Sequence, residues 1–327
     1  MWKRGLRNVK NERIRSKTLW AISALTVTLF ARKILPLKQN SSYSKVTESS
    51  SLRLFRTVEK TRAEKVLTQK GRQQFEYFRA GTEFRHELML SCLDAFLSHK
   101  PRAKWLTLGD VWAREAIYIS KNQGHATASS LQDHAIREAK RLGFIDDFSV
   151  QNAESITFKD KSFDFVFMKE AFHHLARPYT AIYEMVRVAK DAAILFEPTD
   201  STLTTNLSSV NASIFYSTFR TDFEPCGFQF RLNTFEMVKT AMALNLPAIG
   251  FRGWNDPYKS PLESTSESQY RKDLEYLNGM GKKGDRMYNL MAVAFILRDD
   301  ETLLDRLQAF DFEVMRLEQF DDFSRCI

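Results

Sequence analysis

Two adjacent histidines, His173 and His174, follow closely on the apolar run Phe163–Met168. Imidazole gains and loses a proton near neutral pH, so a histidine at this point can take a proton from a substrate hydroxyl as a general base. The competing reading is that one ring packs as an aromatic spacer and caps the helix that follows. Earlier in the chain, Gly109 and Asp110 join the apolar run Lys104–Leu108 to the helical pattern Arg114–Lys121. A glycine there lets the backbone take a positive φ and approach a ligand with no Cβ in the way. The helix that follows then points free N–H groups at a bound carboxylate. Val111 and Ala113 stand where further glycines would extend such a turn, and valine resists positive φ. The sequence therefore predicts a turn on another path or an altered pocket. Ser130, at the end of His125–Ser129, can give a ligand one hydrogen bond, weaker than a carboxylate's, or can cap the next helix. Asp133 lies three residues on. Paired histidines also suggest a metal, but no Asp, Glu or Cys stands nearby at ligand spacing, so no metal site is expected.

These residues sit at regular intervals in an alternating pattern. Strand-like runs are Lys104–Leu108, His125–Ser129, Phe148–Gln151, Phe163–Met168 and Ala192–Glu197, the last stopped by Pro198. Between them fall helical patterns at Arg114–Lys121, Gln132–Leu142 and Tyr179–Ala189. Gly143 closes the second of these and Pro178 opens the third. Strands alternating with helices of about ten residues give βαβ units and a parallel sheet. Right-handed crossovers then bring every strand's C-terminal end to one edge, where ligands bind. Leu90, Leu93, Phe96 and Leu97 fall at helical spacing and predict a helix on the edge of the sheet before the first strand. After Pro198 the alternation stops. Two late apolar runs, Tyr288–Arg298 and Phe312–Leu317, flank a helix at Thr302–Ala309 and read as an antiparallel pair. The expected fold is α/β, a Rossmann-like doubly wound sheet of seven strands, with an antiparallel C-terminal strand pair and an insert between strands 5 and 6. Its parts are a cofactor half at 75–198, an insert at 199–286 and the strand pair at 287–327, within one domain spanning 52–327.

Of 327 residues, 43% are hydrophobic and 26 are Phe, enough for a sizeable core. The net charge of +8 is misleading. Residues 1–40 hold ten Lys/Arg and one acid, Glu12, so the remainder is nearly neutral. A neutral body argues against a groove that tracks nucleic-acid phosphates. Cys92, Cys226 and Cys326 are far apart and suggest neither a disulfide framework nor a zinc site. Residues 1–51 read as a basic leader with an apolar segment at 18–37 and a Ser-rich linker at 40–51. The uncharged stretch Thr18–Ala31 is shorter than the roughly 20 residues a spanning helix needs. It reads as a membrane anchor with snorkelling Arg32 and Lys33, as an organelle transit segment, or as a secretory signal.

The strings Trp105–Asp110, Asn152–Glu154, Ser162–Val166, Lys169–Glu170, His173–His174 and Glu197–Pro198 together resemble the class I S-adenosylmethionine-dependent methyltransferases of the UbiE-like, methyltransferase type 11 kind. Closer still is a bacterial subgroup that also carries a segment like Phe223–Pro257. The resemblance covers about Phe75 to Leu317. It implies S-adenosylmethionine as cofactor, held by Gly109, Asp110, Ser130, Asn152, Ala153 and Glu170. Asn152 would bond the adenine amino group, and Ser130 stands where the family places a ribose-binding carboxylate. It implies methyl transfer to a small-molecule or saccharide acceptor, with His173 or His174 as base. In the insert, Phe215, Tyr216, Arg220 and Arg231 are candidates to line an acceptor pocket, with core packing the favoured reading for the two aromatics. The altered glycine turn keeps a second reading in play, a catalytically inactive methyltransferase-like binding or scaffold protein.

Overall fold

In the computed structural model the residues described are 83–200, 223–224, 227–228, 230–257 and 266–319. The apolar segment 18–37, the linker at 40–51 and Phe215, Tyr216 and Arg220 lie outside them.

The first elements are helices α1 (Glu83–Leu90) and α2 (Asp94–His99), separated by a 3-10 turn at Ser91–Leu93. They lead into β1 (Lys104–Leu108), α3 (Arg114–Lys121), β2 (His125–Ser130), α4 (His134–Arg141) and β3 (Asp147–Val150). Next come β4 (Phe163–Lys169), a 3-10 turn at Phe172–His174, α5 (Pro178–Val188) and β5 (Ala189–Pro198). A short hairpin of β6 (Phe223–Glu224) and β7 (Gly227–Phe228) precedes α6 (Thr234–Ala243), β8 (Ala248–Trp254) and α7 (Glu267–Lys282). The last described elements are β9 (Leu290–Ile296), α8 (Glu301–Ala309) and β10 (Glu313–Arg316).

One sheet runs in the order β10-β8-β9-β5-β4-β1-β2-β3. Strands β1 to β5 are parallel, whereas β9, β8 and β10 are antiparallel to their neighbours. The doubly wound α/β expectation holds, with a correction in number. Among the described residues the main sheet has eight strands rather than seven, and three of them form its antiparallel end. The additional strand is β8, which the sequence reading placed inside the insert. β9 lies between β5 and β8, pairing Phe196 with Ala292 on one side and Ala292 with Arg252 on the other.

Every residue of β4 is buried, as befits a central strand covered on both faces. One face packs against α5 and α6 through Ile182, Met185, Met237 and Ala241. The other packs against the remaining helices, through Phe96, Ile119, Ile136, Tyr270 and Leu303. The helix before β1 is therefore on the face of the sheet and not at its edge. Phe96 of α2 sits edge-on to Phe165 at 5.5 Å and to Trp105 at 6.4 Å, over the two central strands. Local chemistry sets the helix starts. Pro178 opens α5, and the side chains of Asn233, Ser266 and Asp300 cap α6, α7 and α8 by accepting first-turn N–H groups. No described helix is long and apolar enough to cross a membrane.

Candidate active site

The parallel strands end along one edge, and the turn after β1 is built there. Gly109 has φ +71°, and a Cβ placed on it would stand 2.5 Å from the Cβ of Ala171. The second positive φ in this turn falls on Ala113, at +55°, and not on Val111. The chain thus satisfies the turn on another path. Val111 N donates to Gly109 O at 2.9 Å and Ala113 N to Asp110 O at 3.1 Å, and Ala113 leads directly into α3.

Asp110 faces inward. Its Oδ2 accepts from Thr107 Oγ1 and from Ala116 N, both at 2.9 Å, tying the turn to the strand before it and the helix after it. Burial, then the charge of Glu115, pushes the Asp110 carboxyl well above the usual carboxylate range. Its Oδ1 is buried with no conventional partner. Losing water and facing the like charge of Glu115, this carboxyl favours its protonated form.

Ser130 is the last residue of β2 and is buried. It does not cap the next helix, which starts at His134. Asp133 pairs with Arg137. Beyond β3, Asn152 Oδ1 accepts from Glu154 N at 3.0 Å, forming a tight turn that presents Ala153.

A narrow cavity of about 40 Å³ opens at this edge. Its walls include Gly109, Ser130, Ala153, Met168, Ala171 and His174. Four of the expected site residues, Gly109, Ser130, Ala153 and His174, therefore meet in one place. Asp110, Asn152, Glu170 and His173 are not among its lining residues.

The histidines divide their roles. His173 is buried, and its Nδ1 lies 2.6 Å from Oε2 of Glu197, a fully buried carboxylate. The other oxygen of Glu197 accepts from Ala171 N at 2.8 Å and Phe172 N at 2.9 Å. Three donors thus hold Glu197, so it accepts from the His173 Nδ1–H and fixes that ring's tautomer. The rings of His173 and His174 contact each other, centroids 4.0 Å apart. Glu197, which holds the His173 ring, was not among the candidate site residues of the sequence reading. Its signal was present, a lone acid at the end of an apolar strand and next to a proline.

Beside the cavity lies a charged group built on the same strand ends. Lys169 is buried and pairs with Glu170 and, at 3.8 Å, with Glu115. Burial works against the Glu170 carboxylate, but Lys169 and then Arg85 outweigh it and hold its pKa down to about 2. Arg85 of α1 pairs with Asp256, whose other oxygen accepts from Tyr270 Oη at 2.6 Å. Arg114 Nη1 lies 2.8 Å from His86 Nε2. No group of three or more His, Cys, Asp or Glu side chains among the described residues is placed to hold a metal.

Residues 107–196, which contain every wall of the cavity named above, match the family model described as a methyltransferase domain. Over that segment the chain is similar to a methyltransferase domain. No curated protein sequence matches the chain. Solved structures with partial likeness to this chain include the YcgJ protein of Bacillus subtilis, 17% identical, covering 64% of this chain and 99% of its own, with a TM-score of 0.45. Another is a SAM-dependent methyltransferase of Thermotoga maritima, described as a possible histamine N-methyltransferase, at 13% identity, 68% and 96% coverage and a TM-score of 0.46. A third is a putative methyltransferase of Haloferax volcanii in complex with its Trm112 activator, at 12% identity, 77% and 99% coverage and 0.47.

Proposed function

We propose that this methyltransferase domain binds S-adenosylmethionine at the Gly109 cavity and methylates an oxygen of a small-molecule or saccharide acceptor. The observation that carries the reading is the convergence of Gly109, Ser130, Ala153 and His174 on one cavity at the C-terminal strand edge, inside the segment that matches the family. The residues fit the cofactor in kind. Ala153, Met168 and Leu175 offer an uncharged, largely apolar wall for a base. Gly109 leaves its surface bare where a side chain would project into Ala171. The Ser130 hydroxyl takes the place of the ribose carboxylate, and the ionised Glu170 suits an ammonium group. Bound there, S-adenosylmethionine would supply an electrophilic methyl group.

The chain's own task is then to align the acceptor, exclude water and remove a proton. His174, which lines the cavity, accepts the acceptor's hydroxyl proton. His173 supports it by ring contact and is itself anchored through Nδ1 on Glu197. Phe230 N donates to His173 O at 3.0 Å, so the chain after the hairpin borders the same place and provides the acceptor side.

One observation favours the second reading, a non-catalytic binding protein. The cavity of about 40 Å³ is far below the 300 Å³ or more of a typical cofactor pocket, so loading requires the walls to part. Calorimetric titration with S-adenosylhomocysteine separates the two. Micromolar binding supports the enzyme, and no binding at millimolar ligand sinks it. We further propose that the basic, apolar N-terminal segment 18–37 tethers the domain to a membrane, with import and cleavage in an organelle as the alternative. Carbonate extraction of the full chain and of a variant lacking residues 1–51 tests this.

A further inference from the structure

Where β8 ends and β9 begins, α7 borders an open cleft of about 410 Å³ that shares no wall with the Gly109 cavity. That volume is in the range of small-molecule sites. From α7 come Asp273, Tyr276 and Leu277, at i, i+3 and i+4, beside the stripe that buries Tyr270 and Leu274. Asp256, Arg286 and Asn289 supply further walls. Two of these are tied down. Asp256 N donates to Asn289 Oδ1, and Asn289 Nδ2 donates back to Asp256 O, both at 2.9 Å. The Asp256 carboxylate accepts from Arg85 Nε at 2.9 Å and from Tyr270 Oη at 2.6 Å. Thr199 N donates to Asn289 O at 3.1 Å, so the cleft adjoins the end of β5, on the same sheet edge as the cavity.

The chemistry of the walls describes an occupant. Tyr276 is 68% exposed, and a ring that open offers an apolar face for the C–H face of a sugar ring. Asp273 Oδ1 accepts from Gln269 Nε2 at 2.8 Å, which leaves Oδ2 to accept from a hydroxyl. The Asn289 amide keeps one N–H, and Arg286 makes no hydrogen bond or ion pair among the described residues, so both can donate. Charge narrows the choice. Arg85 balances Asp256 and Arg286 balances Asp273, so the lining is near neutral and suits an uncharged polyol over an ionised ligand. Position narrows it further. In the sheet order β8 stands three strands from β4, which sets the cleft about 14 Å along the edge from the cavity wall Met168. One sugar ring held in the cleft cannot also present its hydroxyl to His174. We infer that the cleft is a distal subsite for a neutral sugar unit of an oligosaccharide acceptor, a unit other than the one methylated. This subsite deepens the acceptor reading above and rests on it. Binding of the remote unit would align the reacting one.

The test is binding of neutral hexose and N-acetylhexosamine glycans to the full chain, first on an array of single sugars, disaccharides and tetrasaccharides, then by calorimetry with the best glycan. Tetrasaccharides are expected to bind about tenfold or more tighter than single sugars. Tyr276→Ala and Asp273→Asn should each weaken the glycan about tenfold and leave S-adenosylhomocysteine within about twofold, at an unchanged melting temperature. Tyr183→Ala, an equally exposed tyrosine on α5, should change neither. The subsite is overturned if no neutral glycan binds, if sialylated glycans or spermidine bind in their place, or if both cleft variants bind the glycan like the parent. A chain that binds S-adenosylhomocysteine but no glycan loses the subsite and keeps the cofactor reading. A chain that binds glycan through Tyr276 but no S-adenosylhomocysteine loses the cofactor reading, and the cleft's role toward a methyl acceptor falls with it.

Discussion

Gly109→Ala is the sharpest perturbation of the turn, because two separable costs meet at one atom. An alanine at φ +71° carries the left-handed penalty of about 1–2 kcal/mol. Its Cβ would also stand 2.5 Å from the Ala171 Cβ, well inside ordinary contact, and relieving such an overlap costs about 1–3 kcal/mol. The sum is about 2–5 kcal/mol. Replacing Ala171 by glycine removes the second cost and leaves the first. A double-mutant cycle of Gly109→Ala and Ala171→Gly should therefore show a favourable coupling of about 1–3 kcal/mol, read from urea unfolding midpoints at constant m-value. The residual destabilisation in the double mutant should match the left-handed penalty plus a modest glycine cost at position 171. A single-mutant cost below about 1 kcal/mol, or a coupling near zero, would refute the claim that Gly109 is fixed by contact with Ala171.

Other expectations concern the buried acids and the thiol. Asp110 has a folded pKa raised above its unfolded value near 3.9, so the native state holds its proton longer, and stability is lost as pH rises from that unfolded value through the folded one. Asp110→Asn mimics the protonated form, so its urea midpoint relative to the parent should improve as pH rises above the unfolded value near 3.9; a constant difference counts against the raised pKa. Glu197→Ala strands the His173 Nδ1–H and the amides of Ala171 and Phe172, and should cost roughly 3 kcal/mol or more, with Glu197→Gln costing less, by the same unfolding assay. Glu170 acts in the opposite sense to Asp110. Its depressed pKa stabilises the fold above the unfolded value, and that contribution is lost as pH falls through about 2, visible as an acid-unfolding limb that Glu170→Gln shortens. Burial pushes the Cys92 thiol up to about 12, so peptide mapping after iodoacetamide at pH 8 should find it unlabelled until denaturant is added.

The parallel half of the fold was legible because its signals are local. Apolar runs such as Phe163–Met168 alternate with helices bounded by Pro178 and Gly143, and no other layout buries them. Strand β8 was not legible, and the reason is steric. Its sequence contains Gly250 and Gly253, which read as breakers. In the fold, the Gly253 position is filled by the ring of Tyr288, which a Cβ would approach to 2.1 Å, and Gly250 lies against Phe312. The glycines thus mark rings arriving from distant segments, which no local pattern announces. α7 escaped notice for a related reason, since it buries only Tyr270 and Leu274 along its length. At the site, Gly109 and the histidines were readable by type. The division of labour between His173 and His174 was not, because it depends on Glu197, 24 residues away. The pairing of His86 with Arg114 likewise spans 28 residues and two helices. The left-handed backbone of Ala113 was not legible, since tertiary fit imposes it on a residue that seldom adopts it.

The strand order β10-β8-β9-β5 also dictates a schedule for a chain made from its N-terminus. When β8 leaves the ribosome, the strand it pairs with does not yet exist, because β9, which lies between β8 and β5, has still to be synthesised. Until Ile296 has emerged, β5 offers a bare hydrogen-bonding flank made of Ala192–Phe196, apolar and ready to pair with any passing strand. A ribosome stalled before residue 290 would thus display at most the five parallel strands, with a sticky open side at β5. Nascent chains arrested there should bind chaperones that recognise extended apolar segments, and chains arrested beyond residue 330 of a C-terminally extended version should release them.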